Sequence, residues 1–328
     1  MIPEPSVTRA TSDRPLVLAG DIGGTKALLE LSVPGDGTYD VLHRAELTSG
    51  DHASLEDLVR SFLDQGPRRA VGVACFSVAA PIVGGRGRFT NLPWTLDESV
   101  LARTLGLPKA ILLNDFVAAC YGVDDIEPRE RLTLARGTPD PEALRLVVGA
   151  GTGLGQAFLL PGPRGPRAFP SEGGHSGFAP RGADDHALHR FLLERYGERV
   201  SQERVLSGEG LALLEAFLSG KEPRAPEAVT TGAGAGEPQA VAAVRLFLAL
   251  YGSYVGDAAL QFLPRGGIHV AGGLVTHLRP WLEGGEFLAG FLDKGRMRPI
   301  VEGMPLYVVL DPALELLGAR RYARESLR

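Results

Sequence analysis

The chain has 328 residues, 44% of them hydrophobic and 22% charged, with a formal net charge of -5. That length accommodates about two domains, and the mildly acidic balance excludes the basic footprint of a nucleic-acid binder. Its two cysteines, Cys75 and Cys120, both in apolar surroundings, are too few for a disulfide framework or a cysteine-rich zinc centre.

Residues 1–15 carry three prolines among polar side chains and lack the apolar run of an export signal, so they read as a flexible tail. Two apolar runs, 16–20 (LVLAG) and 27–33 (ALLELSV), flank the glycine-rich DIGGTK. Strand, tight turn, strand is the reading, because Gly23 and Gly24 turn where bulkier residues would strain. Residues 70–78 (AVGVACFSV) read as a further strand, and Thr95 with Glu98 as a capping box opening a helix at Leu96. A strand at 110–113 leads through Asn114 and Asp115 into the apolar helix FVAACYGV.

Further along, 146–149 (LVVG), the turn AGTGLG and 156–160 (QAFLL) repeat the strand–glycine turn–strand pattern. A unit that recurs once in each half predicts two similar α/β domains. Ser207 and Gly208 precede a helix around 211–218, whereas 219–238, rich in Gly, Pro and Ala, reads as a mobile surface excursion. Residues 240–263 read as one buried helix or two. Arg245 and Asp257 interrupt the apolar run, leaving it short of the roughly 20 residues of a membrane span. A strand at 268–271 precedes Gly272 and Gly273, and 314–324 reads as a closing helix.

Neither standard nucleotide fingerprint is present. There is no GxxxxGK[ST], and GAGTGLG has Leu154 where GxGxxG needs its last glycine. Both glycine turns also join strand to strand. Backbone N–H groups in such turns form an anion-binding concavity, to which Thr25 and Thr152 add hydroxyl donors. Asp21, at the end of its strand, is suited to hold Mg²⁺ through water. Asn114 and Asp115 lie between a strand end and a helix start, a usual catalytic position in an open α/β sheet and equally a usual place for a helix cap. The helix N-terminus there is expected to favour an ionised carboxylate. Glu172 and His175, in the loop SEGGHSGFAP, suggest polar ligand contacts. A metal reading with His186 and His189 is weaker, since no cysteine completes a tetrahedral set. Glu203, alone, reads as a solvated residue.

Taken together, the segments LAGDIGGTKALLEL, VAAPIVGGRGRFTNLPW, LLNDFVAACYG, GAGTGLGQAFL, SEGGHSGFAP, ERVLSGEGL, HVAGGLV, FLDKGRM and LLGAR resemble the bacterial glucokinase family of the hexokinase/actin-like ATPase superfamily. The resemblance runs from Leu16 nearly to the end of the chain. It implies an actin-like, ribonuclease H-like fold with a duplicated unit and a central cleft. The tail at 1–15 would precede a small domain at 16–122, completed by 314–328, and a large domain at 123–313.

The resemblance also implies ATP-dependent transfer to the 6-hydroxyl of glucose in a cytoplasmic homodimer. Asp21, Gly23, Gly24, Thr25 and Lys26 resemble the first phosphate turn, and Gly151, Thr152 and Gly153 the second. Gly272 and Gly273 resemble the turn beside the adenosine. Asn114, Asp115, Glu172, His175 and Glu203 match the sugar-binding residues, with Asp115 as general base and Asn91 nearby. The cysteine-rich zinc motif of ROK relatives has no counterpart after GGHSG, so ATP and Mg²⁺ without structural zinc are expected. A kinase for another hexose, such as mannose or an N-acetylhexosamine, is the main alternative. A sugar sensor without catalysis and an actin-type ATPase are more distant ones.

Overall fold

The computed structural model describes residues 14–35, 38–89, 92–163 and 165–327. The tail expected at 1–15 falls almost entirely outside them. The chain divides into two compact units. One takes the described residues of Met1–Asp125 and Ala313–Arg328, the other Ile126–Pro312.

In the first unit, β1 (Leu16–Ile22), β2 (Lys26–Pro34) and β3 (Tyr39–Thr48) form an antiparallel meander. Helix α1 (Leu55–Gln65), capped by Ser54, leads to β4 (Val71–Val78), which pairs parallel to β1. A two-stranded ribbon, β5 (Arg86–Arg88) and β6 (Thr95–Asp97), precedes α2 (Glu98–Leu105). Then come β7 (Ala110–Asn114), parallel to β4, and α3 (Asp115–Gly122). The sheet order is β3-β2-β1-β4-β7. The central strand β1 is buried on both faces, as a strand covered on each side must be, while edge strand β3 is largely solvated.

The C-terminal helix, Leu314–Glu325, returns to this unit and packs on α3. The approach depends on glycine. A Cβ on Gly318 would overlap the Ala118 carbonyl, and one on Gly122 would overlap that of Leu314. The two helix backbones therefore touch where side chains usually intervene.

The second unit repeats the plan. After β8 (Arg131–Ala135), the strands β9 (Arg145–Ala150), β10 (Leu154–Leu160) and β11 (Arg167–Ser171) form the meander. Helices α4 (Ala183–Tyr196), α5 (Gln202–Val205), α6 (Gly208–Ser219), α7 (Pro226–Gly234) and α8 (Pro238–Phe262) follow. Strand β12 (Gly267–Ala271) then pairs parallel to β9. Four short helices, α9 (Gly273–His277), α10 (Arg279–Leu282), α11 (Glu286–Leu292) and α12 (Arg298–Glu302), precede β13 (Leu306–Val309). The order β11-β10-β9-β12-β13-β8 contains the first unit's order, with β8 added at the edge. Two copies of a meander followed by two parallel strands make up the duplicated α/β plan of the actin-like fold.

Three expectations need correction. Helix α2 begins at Glu98, not Leu96. Asp97 caps it, accepting from the Ser99 and Val100 N–H groups, and Glu98 turns away to accept from the Leu112 N–H. The short Asp97 side chain reaches its own helix's first turn, which a threonine two residues earlier cannot do.

Secondly, 219–238 is no excursion. It contains α7, with Pro226 in its first turn and Val229 and Ala233 buried in the core. Thirdly, 240–262 forms one buried helix within α8, one of the two expected readings, with Leu263 as its C-cap. It is not short: α8 is long and apolar enough to cross a bilayer yet mostly buried here. Its two charges do not interrupt it: Arg245 pairs with Glu286 and Asp257 with Lys294.

Candidate active site

In the first unit, the polar residues gather at the carboxyl ends of three adjacent parallel strands, where open α/β sheets bind ligands. Asp21 ends β1 opposite Ser77 of β4, and Asn114 ends β7 opposite Val78. The fully buried Ser77 donates its hydroxyl to Asp21 Oδ1 at 3.0 Å. The turn at 23–25 is closed by the Gly23 N–H donating to the Lys26 carbonyl, 2.9 Å. Ser49 braces it from below: its Oγ donates to the Gly23 carbonyl at 2.8 Å and its N–H to that of Thr25 at 2.9 Å. Among the described residues, the Gly24 and Thr25 N–H groups have no acceptor, so both are available to an anion. Lys26 is occupied elsewhere, its ammonium 2.6 Å from Glu46 on β3.

Asn114 caps α3, accepting from the Phe116 and Val117 N–H groups, while its amide donates to Asp115 Oδ1 at 2.7 Å. Asp115 also accepts from the Phe116 N–H, 2.9 Å. Those donors favour the charged carboxylate, but burial outweighs them and the neighbouring Asp21 charge adds to it, so its pKa rises to about 6. The helix N-terminus thus favours the ionised form as expected, and burial rather than the helix sets the net shift. Asp21 likewise rises to about 6, chiefly through burial, with the Ser77 hydroxyl opposing. Asn91 lies outside the described residues.

In the second unit, the turn at 151–153 is closed by the Gly151 N–H donating to the Gly153 carbonyl, 2.8 Å. The Gly208 N–H at the start of α6 donates to the Gly151 carbonyl, 2.9 Å, which holds the helix end against the turn. Among the described residues, the Thr152 and Gly153 N–H groups have no acceptor. Gly151 and Thr152 line a cavity of about 480 Å³, with Gly208 and Glu209 of α6, Pro226, Glu227 and Thr230 of α7, and Gly273, Leu274 and His277 of α9. That volume suits a small-molecule ligand. Gly272 keeps its wall close: at φ 97° it passes so near the Ala150 carbonyl that a Cβ would collide.

At the end of the same turn stands Glu203. Its Oε2 accepts from the Leu154 N–H at 2.9 Å, and a Cβ on Gly153 would lie 2.6 Å from it. His175 sits between two carboxylates, Nδ1 3.7 Å from Glu203 and Nε2 3.8 Å from Glu172. The loop carrying it is fastened at several points. Gly174 packs so tightly that a Cβ would overlap the Leu154 carbonyl. The Gln202 N–H donates to the Ser176 carbonyl, 2.8 Å, and Arg199 to that of His175, 2.7 Å. Glu203, unremarkable in sequence, is therefore brought to the turn by the fold.

Several residues of the two sites carried no sequence signal. Ser77 sits inside an apolar strand, and Pro226, Glu227 and Thr230 belong to the segment whose composition resembles a loop. The i, i+1, i+4 spacing of those three, had it been read as helical, would have placed them on one face. Among the described residues, no three His, Cys, Asp or Glu side chains come together as a metal-holding set, and His186 and His189 join none.

The sequence model of the glucokinase family matches residues 18–326. The chain is 36% identical to a glucokinase of Nostoc punctiforme, with 93% of this chain and 97% of that one covered. It is 38% identical to a glucokinase of Chromohalobacter salexigens, over 92% and 95%. Among solved structures, the glucokinase from an Antarctic psychrotroph superimposes with a TM-score of 0.83 at 28% identity, covering 94% of this chain and 98% of that one.

Proposed function

The chain belongs to the glucokinase family, and from that premise we propose that it transfers the γ-phosphoryl group of ATP to the 6-hydroxyl of glucose, giving glucose 6-phosphate and ADP. One observation carries the reading. Gly151 and Thr152 of the turn line a nucleotide-sized cavity, and a carboxylate–imidazole–carboxylate set stands at Gly153 and Leu154. A phosphate chain held by such a turn has its base in the cavity and its terminal group toward polar residues suited to a polyol.

In this reading Asp115 accepts the proton of the 6-hydroxyl as its oxygen bonds to the γ-phosphorus and the bond to the ADP oxygen breaks. A pKa near 6 suits a base working at neutral pH: it is ionised, yet basic enough to take a proton. Asn114 orients that carboxylate. Glu172, His175 and Glu203 bond to other sugar hydroxyls, and Asn91 is assigned beside them. The free N–H groups of the two turns receive phosphate oxygens, stabilisation of the kind that phosphoryl transfer chiefly requires. Gly272 and Gly273 let the adenosine pass close to the backbone.

Asp21, a carboxylate fixed by Ser77 beside free amide donors, suits the Mg²⁺ that accompanies ATP, held through water. That ion supplies charge neutralisation on the phosphates. A cytoplasmic homodimer is part of the same proposal and rests on the resemblance alone.

The test is ADP release from MgATP with glucose, mannose, fructose, galactose or N-acetylglucosamine, against a blank without sugar. Turnover on glucose well above the rest, with a silent blank, is expected. Preference for another hexose would reassign the substrate, and ADP release in the blank would make the protein an ATPase.

A further inference from the structure

The cavity wall at α7 is held by a residue that does not line the cavity. Arg224 lies just before α7. Its Nε donates to Glu215 Oε2 at 2.8 Å and its Nη2 to Glu215 Oε1 at 2.6 Å, a bidentate pair on the largely buried carboxylate of α6. The same Nη2 reaches Glu237 Oε2, 2.7 Å, immediately ahead of α8. One guanidinium thus joins α6, the entry to α7 and the entry to α8.

It also bears on α7 itself. A Cβ on Gly232 would lie 2.6 Å from Arg224 Nη2 and 2.6 Å from Glu237 Oε2, so the pair rests against the helix where only glycine leaves room. The Glu237 N–H, in turn, donates to the Gly232 carbonyl at 2.9 Å. Helix α7 needs such support, because no side chain caps its N-terminus and only Val229, Gly232 and Ala233 are buried. Its Pro226, Glu227 and Thr230 face the cavity.

We propose that Arg224 is a positioning residue for the phosphoryl donor: clamped between Glu215 and Glu237, it fixes α7 as the nucleotide-facing wall. The inference rests on the kinase reading. It assigns Arg224 no contact with ATP and no part in the chemistry, so its loss weakens nucleotide binding and leaves the sugar and the transfer step unaffected.

The experiment compares Arg224→Met, Arg224→Lys and Gly232→Ala with the wild type. It reads kcat, the KM for MgATP and for glucose, the Kd for ADP by calorimetry, and the melting temperature. For Arg224→Met, the KM for MgATP and the Kd for ADP are expected to rise roughly tenfold. Its kcat and glucose KM stay within about twofold, the pattern of lost uniform binding. Lysine, a point charge without the planar fork, restores part of the affinity. Gly232→Ala reproduces the defect with Arg224 intact.

A folded Arg224→Met protein with wild-type ADP affinity overturns the proposal. So does a decline shared equally by kcat and both KM values, which marks a merely structural role. Wild-type protein that neither binds ADP nor phosphorylates any sugar would sink the kinase reading instead, an outcome distinct from either.

Discussion

The turns at 23–25 and 151–153 offer the same device, a pair of backbone N–H groups without internal acceptors, but the side chains beside them live in different surroundings. Asp21 and Asp115 are sunk at the ends of buried strands, where desolvation raises both to about 6 and the Asp21 charge adds to the rise at Asp115. Glu172 and His175 are exposed, and Glu203 is partly so, spaced around an imidazole at ion-pair distances. Burial makes a carboxylate basic, which a proton acceptor needs. Exposure leaves carboxylate oxygens accessible to hydroxyl donors, which a polyol site needs. One fold, duplicated, thus buries its carboxylates in one copy and exposes them in the other.

The sharpest way to break this contrast is Asp115→Asn. Its kcat is expected to fall at least roughly 10²-fold, the lower range for general-base catalysis, in the ADP-release assay. The same substitution should raise the melting temperature at pH 7.5, because the ionised carboxyl is buried at a cost. With a pKa raised from 3.8 to about 6, that cost is about 2 kcal/mol after allowance for solvent screening. The sign follows from linkage: the penalty is complete above about pH 6 and vanishes below about pH 4, where folded and unfolded chains are both protonated. The gain in melting temperature should therefore shrink between those limits. A variant that is inactive and also less stable at pH 7.5 would mean that burial is not what sets Asp115 apart.

Glu203→Gln comes next. Glu203 both faces the sugar set and holds the Leu154 N–H, so kcat/KM for glucose should drop roughly 10- to 100-fold, the worth of a hydrogen bond to a charged group. The pH dependence is smaller. Activity should decline as pH falls through about 6, reaching about a tenfold loss one unit below if one proton is responsible. Because Asp21 titrates in the same range, the acid limb should be steeper than one proton allows, and a limb of unit slope would assign it to one carboxylate alone. The smallest effect is expected for Glu172→Gln, less than about tenfold in kcat/KM, since its carboxylate is well solvated. A larger loss at Glu172 than at Glu203 would reverse the ranking that burial and bonding predict.

Much of the first contrast could be read in the chain. The glycine turns of DIGGTK and GAGTGLG, each between two strand-like apolar runs, both form the expected hairpins. Ser207 announced α6 as a cap does. What escaped was set by packing. The basicity of Asp115 depends on how deeply β7 ends, which no local pattern encodes, and the visible cue, a helix N-terminus, pointed the other way. Helix α7 escaped because Ala, Gly and Thr form a helix only when a core such as that around Val229 stabilises it. Thr95 misled because its spacing to Glu98 fits a capping box, while the helix starts two residues later. There Asp97 accepts from the Ser99 and Val100 N–H groups, and the Glu98 N–H donates to the Gly85 carbonyl.

The backbone contact between α3 and the C-terminal helix ties the maturation of the protein to the order of its synthesis. Gly122 and Gly318 let the two helices meet, and the whole of the second unit is translated between them. Until Leu314–Glu325 leaves the ribosome, the helix that begins at Asp115 lacks the neighbour against which Ala118 and Gly122 pack. A growing chain therefore holds every residue assigned to the sugar and nucleotide before Leu314–Glu325 can pack on the helix that begins at Asp115. A chain truncated ahead of Leu314 is expected to leave the face of α3 around Ala118 and Gly122 uncovered.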